Sequence, residues 1–332
     1  MNRTTSSRVA WLSGGLLLLL LFFVVAHLSE EQALAHLLAA AKPLWLFTAV
    51  VFQALTYVCA AAVWQRALVK KEARRGTWGL VPLGLAKLFT DQALPSAGVS
   101  GTLLVVRALG RRGVPRGVAV AAMLAGLVGF YVAYFLATLA AVVILWRHHE
   151  VRGLLLAPIA FLALVVAGLP LALVALRGRA FPHVIGWLER LPGVSGLAET
   201  MRDAKLDGIV APRLVIETTA LQLAIFVLDA LTLAVTLRAV GQPVELPVVF
   251  ASFVIASVVA TLAFIPGGLG TFEGTCVAML HLHGVAVEAA LAATLLLRGF
   301  TFWLPMLPGF ALARRELAGR RGTRDQADGR RV

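Results

Sequence analysis

Charge is scarce in this sequence. Asp, Glu, Lys and Arg make up 14% of its 332 residues, against 60% hydrophobic. A soluble domain carries about 25% charged residues. The apolar excess is also gathered into blocks, at 16–27, 44–63, 118–146, 154–176, 214–237, 247–265 and 286–312. A bilayer-spanning helix needs roughly 20 mostly apolar residues. A soluble fold can bury one such run but not seven, so a water-soluble enzyme is excluded and a polytopic α-helical membrane protein is expected.

Acidic residues are scarcer still, 17 against 30 Lys and Arg, for a net charge of +13. That balance invites a nucleic-acid partner. The distribution argues against one, because the basic residues lie between the hydrophobic blocks and at the two ends, with no aromatic-interleaved basic face. Positive loops beside membrane helices are what retains them in the cytoplasm. Cysteine is nearly absent. Cys59 and Cys276 both lie in apolar stretches and read as small core residues, so no disulfide framework is expected. There is no CxxC or HExxH. His148 and His149 are adjacent, His281 and His283 alternate, and neither pair has a third ligand nearby in sequence. No metal and no cofactor are expected.

The basic residues set a topology. Arg3 and Arg8 place the N-terminal residues 1–9 in the cytoplasm, and the apolar run after them reads as an uncleaved first helix. The second helix returns to Arg66, Lys70, Lys71, Arg74 and Arg75. The stretch 79–107 is then flanked by basic clusters at both ends, and Pro95 and Gly98 break it in the middle. It reads as a re-entrant hairpin entering from the cytoplasm. Helices at 117–146 and 154–176, a cytoplasmic loop at 177–213 and a helix at 214–237 follow. The segment 247–282 is broken by Pro266, Gly267, Gly268 and Gly270, and both its ends are poor in Arg and Lys. It reads as a second re-entrant hairpin, entering from the opposite face. The last helix, 286–312, ends at a basic cytoplasmic tail, 314–332, which is polar and expected to be disordered. About 24 of the 30 basic residues then lie inside and four outside, with Lys87 and Arg298 within the membrane.

The two broken segments resemble each other. At an offset of 171, nine of 30 positions are identical between 95–124 and 266–295, among them Pro95/Pro266, Leu109/Leu280, Gly113/Gly284 and Val114/Val285. Each copy is a Pro-Gly break, then Gly-Val, then an Ala-rich helix. About seven spanning helices with two opposed hairpins in an inverted repeat is the layout of transporters that build their site from discontinuous helices. The alternative is that Pro95 and Pro266 merely kink two packed helices.

Charges at bilayer depth are functional candidates. Lys87 and Asp91 are spaced to pair on one helix face. Arg107 is either an interfacial anchor or a phosphate ligand. Glu217 lies near a helix end. Asp229 is deep in its helix and needs a partner, for which Arg298 is one candidate. Glu273 falls in the first turn after Gly270, where a helix dipole favours a carboxylate. Asp229, Glu273 and Arg298 together would form a polar spot in an apolar bundle.

At these residues the sequence resembles the membrane-embedded, flippase-like domain of lysylphosphatidylglycerol synthases and its stand-alone relatives. The motifs are Leu94-Pro95-Ser96-Ala97-Gly98 through Arg107-Ala108, Ile265-Pro266-Gly267-Gly268-Leu269-Gly270-Thr271-Phe272-Glu273-Gly274, and Leu295-Leu296-Leu297-Arg298. The layout fits residues 10–313 as one membrane domain. Relatives often carry an acid shortly before the arginine of the first motif; here that place is Gly101-Thr102. The full-length synthases add a soluble aminoacyl-transfer domain, and this chain runs about 20 residues past its last helix, so lysyl-lipid synthesis is not expected.

The resemblance implies movement of a polar or glycosylated lipid between leaflets of a bacterial inner membrane, with both termini cytoplasmic. Pro95, Gly98, Pro266, Gly267, Gly268 and Gly270 would form the turns, and Glu273, Arg298, Arg107, Asp229, Lys87 and Asp91 would meet the head group. Membrane lipids are the expected partners, with lipid-biosynthesis enzymes or a second copy of the chain as further candidates. Two other functions stay open: a membrane-embedded transferase using a lipid-linked donor, and a non-catalytic partner in a lipid-biosynthesis complex.

Overall fold

The computed structural model describes residues 41–70, 76–93, 99–147, 168, 211–263 and 266–328. Among them every regular element is a helix. In chain order these are α1 (Pro43–Lys70), α2 (Thr77–Ala93), α3 (Val99–Arg111), α4 (Arg116–Arg147), α5 (Pro212–Ala239), α6 (Leu246–Leu262), a 3-10 turn (Pro266–Gly268), α7 (Thr271–Leu282) and α8 (Val287–Arg298). A π-helical segment (Gly299–Trp303) then leads into α9 (Leu304–Asp328). The first apolar run, all but residue 168 of the helix expected at 154–176, most of the loop 177–213, and Pro95 and Gly98 lie outside the described residues.

Among the described residues four helical stretches are long and apolar enough to cross a bilayer: Pro43–Val69, Arg116–Arg147, Pro212–Ala239 and Val287–Glu316. The protein is therefore a multi-pass membrane protein. Its outer surface agrees, since large apolar side chains such as Phe47, Leu139, Ile216 and Leu307 are exposed. Water would penalise such a surface by roughly 25 cal/mol per Å², and lipid does not. Trp78 and Trp146 are exposed at helix ends, where interfacial aromatic belts lie.

Proline and glycine punctuate the helices. Pro43 and Pro212 open α1 and α5, where a missing N–H costs nothing. Gly113, Gly241 and Gly284 close α3, α5 and α7 with φ near +80°. Each is followed by a residue whose N–H reaches back five positions: Val114 to the Leu109 carbonyl, Gln242 to Leu237 and Val285 to Leu280. These are Schellman closures, which need a residue tolerant of the left-handed region.

The turns after α3 and α7 are copies at the bond level. Arg112 donates to Leu109 and His283 to Leu280. Gly113 donates to Gly110 and Gly284 to His281. Ala119 donates to Pro115 and Ala290 to Ala286. Every pair is separated by the offset of 171 read in the sequence. Burial repeats as well: Leu109 and Leu280, and Ala119 and Ala290, are fully buried, and Val114 and Val285 are each 3% exposed. The correspondence extends upstream beyond the sequence signal. α1 and α5 each have 28 residues, and α2 and α6 each have 17.

α1 and α5 lie side by side and antiparallel. Lys42 N–H donates to the Ala239 carbonyl at one end, Gln53 bonds Asp229 in the middle, and Arg66 faces Glu217 at 4.0 Å at the other. Two cores flank them. One is built mainly from α2, α3, the first half of α4 and the end of α1. The other is built from α6, α7, α8 and the second halves of α4 and α5. The copies interlock reciprocally. α2 packs on α9, where Phe89 meets Phe310 edge-on, and α6 packs on α4, where Tyr134 and Thr261 share a hydrogen bond of 3.1 Å.

α9 runs on from the last apolar stretch to Asp328. Glu316 ties its middle to the end of α3, where its carboxylate pairs with Arg111 and Arg112. The last helix is also irregular. Leu304 N–H bonds Gly299 one residue beyond the α-helical partner, and Pro305, which has no N–H to give, follows at once.

Candidate functional site

Each broken segment consists of two short helices packed against each other, and a carboxylate lies at each break. In the second segment the chain leaves α6 and passes through Gly267, Gly268 and Gly270 with φ of +68°, +62° and +81°. A β-carbon at Gly268 would lie 2.7 Å from that of Ala260. The glycines therefore let the turn lie directly on α6. Gly270 N–H, at the start of α7, donates to Glu273 Oε2 at 2.6 Å. Thr271 Oγ1 donates to the Gly268 carbonyl at 3.0 Å. The carboxylate thus satisfies an end of α7 that would otherwise be bare, as its position after Gly270 predicts.

Arg298, at the end of α8, locks this turn from outside. Its Nε donates to Glu273 Oε1 at 2.5 Å, and its Nη2 donates to the Gly267 carbonyl at 2.6 Å. The guanidinium carbon lies 4.7 Å from the Phe272 ring centroid and 5.4 Å from that of Phe302. Only 14% of the Arg298 side chain and 11% of the Glu273 side chain is exposed. A planar guanidinium can pair with a carboxylate, bond a carbonyl and stack on two rings at once; an ammonium cannot.

The first segment has the same chemistry from different residues. Lys87 Nζ pairs with Asp91 Oδ2 at 2.5 Å on α2, as their spacing predicts. Asp91 Oδ1 also accepts the Gly101 N–H at 2.8 Å across the break, and Ser100 Oγ donates to the Thr90 carbonyl at 3.1 Å. A β-carbon at Gly101 would lie 2.4 Å from Asp91 Oδ1 and 2.7 Å from Lys87 Cγ. So the missing acid at 101–102 is replaced in space by Asp91. At the offset of 171, Thr102 is the counterpart of Glu273. Both half-helices begin against a carboxylate, and each carboxylate has its own cation.

Asp229 does not join Glu273 and Arg298. Its partner is Gln53 of α1, whose Nε2 donates to Asp229 Oδ1 at 2.8 Å and to Thr232 Oγ1 at 3.0 Å. The polar spot expected from three charges is therefore two separate sites, because Arg298 is already committed to Glu273 and Gly267. Arg107 is exposed on α3. Glu217 bonds Arg213 at 2.9 Å and faces Arg66, as a residue near a helix end should. Cys59 and Cys276 are free thiols on α1 and α7.

Gln53 and Phe302 were not singled out in the sequence; Gly101 stood there only as the place of a missing acid and Phe272 only as a member of a motif. Gln53 carried the one available signal, a polar amide in the middle of an apolar run. The phenylalanines gave none, since aromatic residues are unremarkable in such helices.

A membrane protein of the UPF0104 group from Methanothermobacter thermautotrophicus is similar to part of this chain, 28% identical over 87 residues. That match covers 26% of this chain and 26% of the relative. A family model matches far more, from residue 10 to residue 309, taking in both hairpins and the Glu273–Arg298 pair. The chain belongs to the family of the lysylphosphatidylglycerol synthase transmembrane region.

Proposed function

We propose that this protein moves a lipid with a polar or glycosylated head group between the leaflets of a bacterial cytoplasmic membrane, without covalent chemistry. The observation that carries the reading is the antiparallel arrangement of α1 and α5 at the head of two matching sets of helices. Sets headed by antiparallel helices have opposite orientations in the bilayer. The hairpin α2–α3 then enters from the cytoplasmic face and α6–α7 from the outer face, with both termini of the chain inside. Each hairpin brings a broken backbone and a carboxylate–cation pair to membrane depth. Unpaired backbone groups there cost several kcal/mol each, roughly, and are tolerated where they line a polar path.

The ion pairs give the path its selectivity. A phosphate competes with Glu273 for Arg298, and an ammonium or sugar hydroxyl competes with Arg298 for Glu273. Lys87 and Asp91 offer the same exchange on the other side. The head group thus meets one neutral pair from each face while the acyl chains stay in lipid. Both pairs are closed on themselves before cargo arrives, which keeps the leak of small ions low.

The test is a reconstitution of the full chain into liposomes carrying a fluorescent lipid in both leaflets. An impermeant quencher added outside reaches about half of the label in protein-free vesicles. With the protein present, the quenched fraction should approach completeness. Unchanged protection would overturn the reading. A glycosyl or aminoacyl group gained by the lipid would replace it with a transferase.

A further inference from the structure

We infer that Asp229, held by Gln53, is a proton-carrying site at the centre of the membrane, neutral in the conformation described above. Asp229 is 17 residues from the start of α5 and 10 from its end. At 1.5 Å per residue that is about 26 and 15 Å along the axis, so it lies near the middle of a hydrocarbon core about 30 Å thick. Among the described residues its hydrogen-bond partner is one neutral amide. Both Gln53 amide protons are used, one on Asp229 Oδ1 and one on Thr232 Oγ1, and the Thr232 hydroxyl is spent on the Leu228 carbonyl. Asp229 Oδ2 is left without a described donor.

Among the described residues, an ionised carboxylate in that setting has neither a cation nor a second N–H. Asp229 is only partly buried, but an unpaired charge at that depth of a bilayer is expensive enough that the group takes up a proton instead. The other two membrane carboxylates described above show the contrast. Asp91 and Glu273 each hold a cation and a backbone N–H. The surroundings on the described elements packed against α5 bear this out. α1 presents Tyr57 near Asp229, with Arg66 and Lys70 toward its far end. α4 presents Tyr131 and Tyr134, with Arg116 and Arg147 at its ends. α6 has no ionisable residue. α8 has Glu288 at its start and Arg298 at its end, the latter committed to Glu273. On α5 itself, Arg213 and Glu217 pair near one end, and Arg238 lies over Trp45 at the other.

The site also breaks the internal repeat. With α1 and α5 aligned start to start, at an offset of 169 rather than 171, Gln53 corresponds to Gln222 but Asp229 corresponds to Ala60. The acid is present on one side of the α1–α5 contact and absent on the other. Loss of its proton would place a charge between the two helices that head the opposed sets, and water or a cation would have to reach it there. On the lipid-transport reading above, this supplies a driving force: one proton released and rebound per lipid moved.

Two measurements test this, and they fail separately. Infrared spectra of the full chain in lipid bilayers at pH 7 should contain a protonated carboxylic-acid C=O band that disappears in Asp229→Asn. Gln53→Leu should shift the band to higher frequency by removing its hydrogen bond, which covers the case in which Asp229→Asn does not fold. A wild-type spectrum without the band, or a band unaltered by both substitutions, would overturn the site. In proteoliposomes, a gradient of one pH unit should bias the lipid distribution about tenfold for one proton per lipid. Asp229→Asn should abolish the bias while lipid still exchanges. Lipid exchange that ignores the proton gradient, or answers to sodium in its place, would overturn the coupling and leave the proposed function intact. No lipid exchange at all would overturn the proposed function, and the infrared band would then decide the proton site alone.

Discussion

Asp91 Oδ1 lies 2.8 Å from the backbone nitrogen of Gly101, in space that any β-carbon at 101 would occupy. The first hairpin is therefore closed by a side chain of one arm capping the other, and the glycine is what admits it. Gly101→Ala should lower stability by about 1–3 kcal/mol through overpacking. Thermal unfolding in detergent measures this. Gly84→Ala, in α2 with nothing near the added methyl, is the control. It should be neutral or gain about 0.5–1 kcal/mol, as Ala does over Gly inside a helix.

The second hairpin depends on backbone freedom instead. Gly268 has φ of +62° and rests on Ala260, whereas Gly274 is helical with open space around it. Gly268→Ala should cost at least about 1–2 kcal/mol from the left-handed backbone alone, and more from the contact. Gly274→Ala should cost nothing. Equal melting temperatures for the two variants would contradict this geometry.

Glu273 and Arg298 should behave as a unit. Glu273→Ala leaves a largely buried guanidinium unpaired, which typically costs about 3–5 kcal/mol. Arg298→Leu leaves the carboxylate with only the Gly270 N–H. The double variant removes both charges and should be more stable than the sum of the single losses predicts. Strict additivity in the unfolding measurements would show that the pair is not coupled.

The sequence made the architecture legible where a local signal existed. Long apolar runs marked α1, α4, α5 and α8–α9, and Gly113 and Gly284 marked identical turns. Lys87–Asp91 followed from helical spacing, and Glu273 from its place after Gly270. Partners on different helices were another matter. Nothing in the spacing of residues 53 and 229 says that two helices lie antiparallel, so Arg298 stood as one candidate partner for Asp229 and Gln53 did not. The repeat was visible over 30 positions, but its extension to α1 and α5 was not. Apart from the stretches that enter the two cores, those helices face lipid or each other, and many apolar side chains serve equally well there. The tie from Glu316 to Arg111 and Arg112 was not legible either, because composition carries no record of a partner on another helix.

Those arginines give a further prediction. Glu316 ties the start of the tail to α3 through partly exposed pairs, so the contribution to stability should be small, about 1 kcal/mol or less. The effect on the tail should be larger. Glu316→Gln should speed tryptic cleavage after Arg314 and Arg315, and raising the salt concentration on the wild type should do the same by screening. Cleavage rates indifferent to both would mean that the helix holds itself.

The central claim is that the two hairpins enter from opposite faces. Single cysteines placed at Gly76 and Arg116 flank α2–α3, and single cysteines at Glu245 and Ala286 flank α6–α7; all four positions are exposed. The buried Cys276 and the partly buried Cys59 should contribute little background. An impermeant maleimide applied to oriented membranes should label Gly76→Cys and Arg116→Cys only from the cytoplasmic side, and Glu245→Cys and Ala286→Cys only from the other. If the two ends of either hairpin label from opposite sides, that segment crosses the membrane and the account is wrong.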